Sequence, residues 1–502
     1  MTDFLKEGLD ARELAEQITN GALSCTDVTG QVLRNIAASN PDINAVCSYD
    51  EDLAWRLAEQ GDRTLSSLNA AGRADLLAKQ PFFGVPSLLK DLATADTNLP
   101  STMGSAYFGT VSFAADGDLT SRYKQAGFHL IGRTTSAELG LSPTTESPSY
   151  GAPTRNPWHR ESSAGGSSGG AGAAVAAGMV PIAHGGDGGG SIRIPASCCG
   201  LVGLKTSRGM TAFGPARGES WGGMVSEHML TVSVRDCALA LDVSAGPSLG
   251  APSAAPHFER SFAQVADAAR RGEARRTLRI GVLVPESAPV LDDDVRRGYA
   301  LFQEQLTQLG YECVPVSLPF SPRDVMTHVV PIIAMNALTS IDAYAKAHSD
   351  ADIGKLQKTV RSMLEYARGM SASRYIGHVT GIHVLGRQFA DFMAQTGIDL
   401  LATPTLAEAP AQIGRFAMDW DDYEEYRFGE QSLLPYSPFC PLANATGCPA
   451  ISLPAAQSSQ GVPIGMQLVA PYGRDDWLID VSARYEKEYP WQRYAQQEAA
   501  VR

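Results

Sequence analysis

Three side chains in this sequence have the types and surroundings needed to move a proton and attack a carbonyl. They are Ser167 and Ser191, each set among glycines, and Lys90, at the end of an apolar run. Gly-Gly-Ser-Ser-Gly-Gly occupies 165–170 and Asp-Gly-Gly-Gly-Ser-Ile-Arg-Ile-Pro-Ala occupies 187–196, with small apolar residues between. Glycine lets the backbone turn where a side chain would clash, or lets another group come close, so a serine among glycines can be aimed at a ligand beside exposed N–H groups. A flexible Gly/Ser linker is the bland alternative. It would not contain an Ala/Val-rich segment suited to a buried helix, nor finish in Ser-Ile-Arg-Ile-Pro.

Several chemistries fit a glycine-flanked serine, and the residues separate them. Gly165 to Gly169 formally matches the Gly-x-Ser-x-Gly nucleophile turn of α/β-hydrolases, which pairs its serine with a late histidine. Here the last histidine is His383, and the polar Trp158-His159-Arg160-Glu161 lies ahead of the serine where a buried strand is needed. Phosphate binding would call for Gly-x-x-x-x-Gly-Lys-Ser/Thr or Gly-x-Gly-x-x-Gly, and neither occurs in this stretch, where Asp187 would repel a phosphate. His-Glu-x-x-His is absent, His184 reads as a packed structural residue, and neither a metal nor a cofactor is expected. A lysine base remains. An unperturbed lysine is neutral only about 0.04% of the time at pH 7, but burial can lower its pKa by roughly 3–5 units. Lys90, after Val85-Pro86-Ser87-Leu88-Leu89, is the lysine best placed for that, and a serine between it and the nucleophile could relay the proton.

The elements that must hold these groups follow from periodicity. Helical spacing runs from residue 10 to about 65, interrupted at Asn40-Pro41-Asp42 ahead of a short strand at 43–47. Strand patterns are expected at 85–89, 128–132, 200–205, 278–284, 311–318, 400–405, 444–454 and 464–470. Helices are expected at 119–124, 295–309 and 475–488, with a helical block at 324–396. Residues 244–275 read as a surface connection. Strands alternating with helices predict an α/β protein with a large mixed β-sheet core flanked by helices on both faces. No long polar linker divides the chain, which predicts one domain over 1–502. Its parts are a helical opening to residue 70, a core at 71–243, a strand-helix excursion at 276–396 lining the cleft, and closing strands and helix at 397–502.

With 502 residues and 44% hydrophobic content, the chain can bury a large core. Its net charge of −13 disfavours nucleic acid or an anionic membrane as partner and leaves a small molecule as the expected one. The N-terminus lacks the apolar core of a secretory signal, so a cytoplasmic location is expected. The eight cysteines form no Cys-x-x-Cys pair and read as buried thiols. No window offers the roughly 18 uncharged apolar residues of a membrane span.

The sequence resembles the amidase signature family, whose signature runs Gly-Gly-Ser-Ser-Gly-Gly, small apolar residues, then Asp-x-Gly-Gly-Ser-Ile-Arg-x-Pro-Ala. Residues 165–196 fit it throughout, and further blocks fit in order: Gly84-Val85-Pro86 with Lys90-Asp91, Gly200 to Lys205, and Asn444 with Gly447-x-Pro449-Ala450-Ile451-Ser452. The resemblance implies a Ser–cis-Ser–Lys triad with Ser191 as nucleophile, Ser167 as bridging serine and Lys90 as base. It also implies an oxyanion hole from the N–H groups of Gly188, Gly189, Gly190 and Ser191, and a loop braced by Asp187 and Arg193. Amide hydrolysis through an acyl-serine is the implied reaction. A homodimer is compatible by the same analogy. A glutamine-dependent amidotransferase subunit is the alternative, although Ser437 stands where those members tend to carry an Asp.

The family often has Thr or Ser at the position of Gly186, and Thr, Ile or Ala at that of Gly188, so this loop is expected to widen the acyl site or loosen the oxyanion hole. Thr154-Arg155-Asn156-Pro157-Trp158 and Ala183-His184-Gly185 look most like the 6-aminohexanoate-cyclic-dimer hydrolases and related amidases, and aryl amides or carbamates would suit the same machinery. Pocket walls are expected from the block 324–396, the 220s and the 430s.

Overall fold

The computed structural model describes residues 3–92, 94–273, 276–284 and 289–495. One sheet of eleven strands takes its members from nearly the whole chain. In chain order these are β1 (Val46–Tyr49), β2 (Pro86–Lys90), β3 (His129–Thr134), β4 (Ile182–Asp187), β5 (Val202–Lys205), β6 (Ser226–Thr231), β7 (Arg279–Leu283), β8 (Glu312–Val316), β9 (Leu400–Pro404), β10 (Ala450–Gln457) and β11 (Pro463–Val469). They lie side by side in the order β1-β3-β2-β4-β6-β5-β10-β11-β9-β7-β8. The sheet is mixed: β3, β2 and β4 run parallel, the centre from β4 to β9 is antiparallel, and β9, β7 and β8 are parallel again.

Side-chain alternation along each strand feeds two separate apolar clusters. On β9, Leu401 belongs to one cluster, while Leu400 and Ala402 belong to the other. The first cluster gathers the N-terminal helices, the buried helix Gly169–Ala176 and the long helix Pro322–Ala347. The second gathers the helices Val234–Ser244, Phe262–Arg270, Asp293–Gln308 and Asp475–Glu488. Both faces are therefore covered, as the alternation of strands and helices predicts.

The structure departs from the sequence expectations at four places. The helix Cys25–Ile43 runs through Pro41 and ends at Asn44 in the left-handed region, so the strand begins only at Val46. A proline in the last turn forfeits one helical hydrogen bond and crowds one carbonyl, and the helix ends just beyond it. Strands β4 and β6 escape notice because Ile-Ala-His-Gly-Gly-Asp and Ser-Glu-His-Met-Leu-Thr carry neither alternation nor an apolar run. The connection at 244–275 contains the helix Phe262–Arg270, opened by a reciprocal cap between Ser261 and Gln264, with Phe262, Ala266 and Ala269 buried at helical spacing. Finally, the helix Pro322–Ala347 is by length and composition long and apolar enough to cross a membrane, with a mean hydropathy of 1.3 over its best window, and 61% of that window is buried inside the fold.

Candidate active site

Lys90 is the last residue of β2, and Asp187 is the last residue of β4. The two strands are parallel neighbours, Leu88 lying opposite Ala183, so the lysine and the glycine loop after β4 emerge at the same end of the sheet. Crevices beyond the carboxyl ends of parallel strands are where open sheets bind ligands. Ser167 arrives from the turn preceding the helix Gly169–Ala176. The Gly166–Ser167 peptide is cis, and a Cβ on Gly166 would lie 2.6 Å from the Thr144 backbone, so a residue without a side chain is needed there. Ser168 locks this turn to β4, its Oγ donating to Gly186 O and accepting from Gly186 N, both at 3.2 Å. Its own N–H reaches Ser191 O at 3.2 Å.

Lys90, Ser167 and Ser191 line one cavity of about 230 Å³. Lys90 Nζ donates to Ser167 Oγ at 2.7 Å and to Gly186 O at 3.3 Å. The lysine is 1% exposed. Burial lowers its pKa to about 7, against the opposing pull of the Glu227 and Asp187 carboxylates. A larger cavity of about 740 Å³ lies elsewhere, around Arg276, Arg474 and Trp477, and holds no serine or lysine.

Asp187 and Arg193 form a fully buried, two-pronged pair: Nε to Oδ2 at 2.9 Å and Nη2 to Oδ1 at 3.0 Å. Arg193 also donates to Cys440 O, Gln467 Oε1 and Asn444 Oδ1 at 2.9, 2.6 and 2.6 Å. Asn444 in turn donates to Asp187 Oδ1 at 2.9 Å and to Asp187 O at 3.0 Å. Burial alone would raise the Asp187 pKa, but the Arg193 charge and these donors hold it well below the usual carboxylate range. The carboxylate also accepts from the N–H groups of Gly190 and Ile192 at 2.7 and 3.2 Å. The Gly190 N–H, one of the four expected oxyanion donors, is thus committed to Asp187.

The expectation that Gly188 widens the site is corrected. A Cβ there would lie 2.5 Å from Cε3 and Cζ3 of Trp221, so the indole already occupies that space. Trp221 itself sits at φ 51°, uncommon for a bulky residue. At Gly186, by contrast, the nearest atom to an added Cβ is Glu227 Cγ at 3.7 Å.

Glu227, another lining residue, gave no sequence signal. Glu227 faces Gly186 across the β4–β6 ladder, and its carboxylate lies 3.7 Å from both His184 Nε2 and Arg217 Nη2. His184 is buried, with Nδ1 3.4 Å from the Lys90 backbone N–H, which fits its reading as a packed residue. Ser220, Trp221 and Val225 supply the expected wall from the 220s, Asn336 and Ala337 the wall from the helical block. Leu433, from the expected 430s, lines a second, smaller cavity that Ser191 also borders.

The profile of the Amidase family matches residues 27–479. A 6-aminohexanoate-cyclic-dimer hydrolase of Pseudomonas sp. (strain NK87) is 34% identical, covering 96% of this chain and 95% of that protein. An acylamidase of Rhodococcus erythropolis is 30% identical over 98% of each chain. Among solved structures, a 6-aminohexanoate cyclic dimer hydrolase superposes with a TM-score of 0.86 at 32% identity, covering 97% of this chain and 99% of the other. A bacterial aryl acylamidase of the amidase signature family gives 0.84 at 26% identity, with 97% of each chain covered. The chain belongs to the amidase signature family and is a hydrolase of carbon–nitrogen amide bonds.

Proposed function

We propose that this amidase works through an acyl-serine on Ser191, with Lys90 as the base and Ser167 as the relay between them. The 2.7 Å contact from Lys90 Nζ to Ser167 Oγ, in a cavity that Ser191 also lines, carries this reading. A lysine with a pKa near 7 is neutral often enough to accept a proton at working pH. In the forward step the Ser191 hydroxyl oxygen bonds to the amide carbon while its proton passes through Ser167 to Lys90. The developing oxyanion takes hydrogen bonds from the backbone N–H groups of Gly188, Gly189 and Ser191. Each donor of this kind is typically worth about 2.7–4 kcal/mol in the transition state. On collapse the C–N bond breaks, the proton returns to the leaving amine, and water then cleaves the acyl-serine.

The names of the matched relatives favour hydrolysis over amidotransfer and suggest small amides as substrates. A cyclic or linear 6-aminohexanoate amide, an aryl amide and a carbamate are the candidates we put forward. Purified Ser191→Ala, assayed against such a panel beside the wild type, is expected to lose turnover and acyl-enzyme accumulation together. Full turnover by the variant would refute the role of Ser191.

A further inference from the structure

We propose that Trp221 is a specificity-determining partition that divides the cleft into a polar chamber for the amine half of the substrate and a small apolar chamber for a short acyl half. The inference rests on the acyl-serine reading of Ser191. Gly140, Ser191 and Trp221 line both cavities and are the residues the two share. The larger, about 230 Å³, presents Lys90 and Ser167 together with Arg217, Glu219, Ser220 and Glu227. The smaller, about 40 Å³, is walled by Leu141, Pro143, Ile194, Met326, Val329 and Ile333. Arg427 also borders it, with Nη2 donating to Leu141 O at 2.9 Å and the guanidinium stacked 5.0 and 5.4 Å from the Tyr423 and Tyr426 rings.

Proton delivery orients the substrate between them. The leaving nitrogen must receive its proton from the Lys90–Ser167 side, so the amine half occupies the larger chamber. The carbonyl substituent then points across Ser191 into the apolar one. At about 40 Å³ against about 230 Å³ for its neighbour, the apolar chamber favours the shorter of two acyl chains. The lack of a side chain at Gly188 is what lets the indole stand there, since a Cβ would meet it at 2.5 Å. The bare loop and the tryptophan are thus one device that shortens the acyl site.

The test uses p-nitrophenyl acetate, butyrate and octanoate, in which only the acyl half changes. On acylation the Ser191 Oγ–C bond forms, the ester C–O bond breaks, the serine proton passes to Lys90 and nitrophenolate leaves. Burst kinetics and intact mass report the rate and extent of labelling. Wild type is expected to acylate about ten-fold or more faster with butyrate than with octanoate, the scale of a pocket discriminating by chain length. Trp221→Ala should bring the two within about three-fold. Ile333→Ala, which opens the far wall and leaves the partition in place, should narrow the ratio independently. Gly188→Ala should slow butyrate acylation, and adding Trp221→Ala should restore it by removing the ring that the new methyl meets. Octanoate acylating wild type as fast as butyrate, or a ratio unmoved in Trp221→Ala, would overturn the partition while leaving amide hydrolysis intact. No labelling of Ser191 by any ester would overturn the acyl-serine reading itself, and the partition with it.

Discussion

Lys90 Nζ and Ser167 Oγ are 2.7 Å apart inside the fold, and nothing in their separation along the chain brings them there. They meet because β2 and β4 are parallel neighbours and Ser168 pins the glycine turn to Gly186 on β4. The lysine is held where burial strips its charge of solvation.

The first consequence is a pH profile. A lysine that acts as base must be neutral, so kcat/KM is expected to rise as pH increases through about 7, the pKa of Lys90 in the folded enzyme. Glu227 and Asp187 both raise that pKa against burial. Removing one charge with Glu227→Gln should therefore move the midpoint of the acid limb to lower pH. A profile of kcat/KM between pH 5 and 9 for both enzymes checks this, and an unmoved midpoint would argue against Lys90 as the titrating group.

The Asp187–Arg193 pair leads to a stability prediction. Arg193→Ala would leave a buried carboxylate without its counter-charge, and breaking such a pair typically costs about 3–5 kcal/mol. A fall in thermal midpoint accompanied by loss of activity is expected, because the same carboxylate holds the Gly190 and Ile192 N–H groups of the loop that carries Ser191. The folded-state pKa of Asp187 is depressed. Its contribution is therefore present above the unfolded pKa of an aspartate and lost as pH falls through the folded one. Acid titration monitored by circular dichroism should show Asp187→Asn insensitive to that component.

Two glycines of the signature should respond oppositely to a methyl group. Gly166→Ala would place a Cβ 2.6 Å from Thr144 backbone atoms, which cannot swing aside as a side chain tip can, so loss of folded yield or activity is expected. Gly186→Ala meets only Glu227 Cγ at 3.7 Å, ordinary contact, and should keep activity within a few-fold of wild type. Parallel expression and kinetics of the two variants make the comparison.

Lys205 supplies a test of buried charge away from the reacting atoms. It is 1% exposed, donates to Cys448 O at 2.8 Å, and is lowered to about 7 by burial and by the neighbouring Arg193 and Arg208 charges. Between pH 7 and its unfolded pKa, the unfolded chain binds more protons at this site than the folded one, so the cost of burying it shrinks as pH rises. Wild type should therefore gain stability relative to Lys205→Met from pH 7 to pH 9, read from urea midpoints at both values. An unchanged difference would contradict the depressed pKa.

Ser167, Ser191 and Lys90 stood out in the sequence, because the signature at 165–196 and the run before Lys90 are contiguous stretches of chain, while the roles proposed for them come from the family resemblance. So were most of the strands and the long helices, whose burial writes a period into the sequence. The strands β4 and β6 were not, since glycine and buried polar residues carry no such period, and Glu227 was invisible because its place beside Lys90 comes from cross-strand register. Gly188 shows the limit most clearly. Its bareness is plain in the sequence, yet it leaves no open space there, for the Trp221 ring fills the place from a segment 33 residues further on. Local sequence specifies which groups can react. Only the packing of distant segments decides how much room they leave, because volume is shared by whatever the fold brings together.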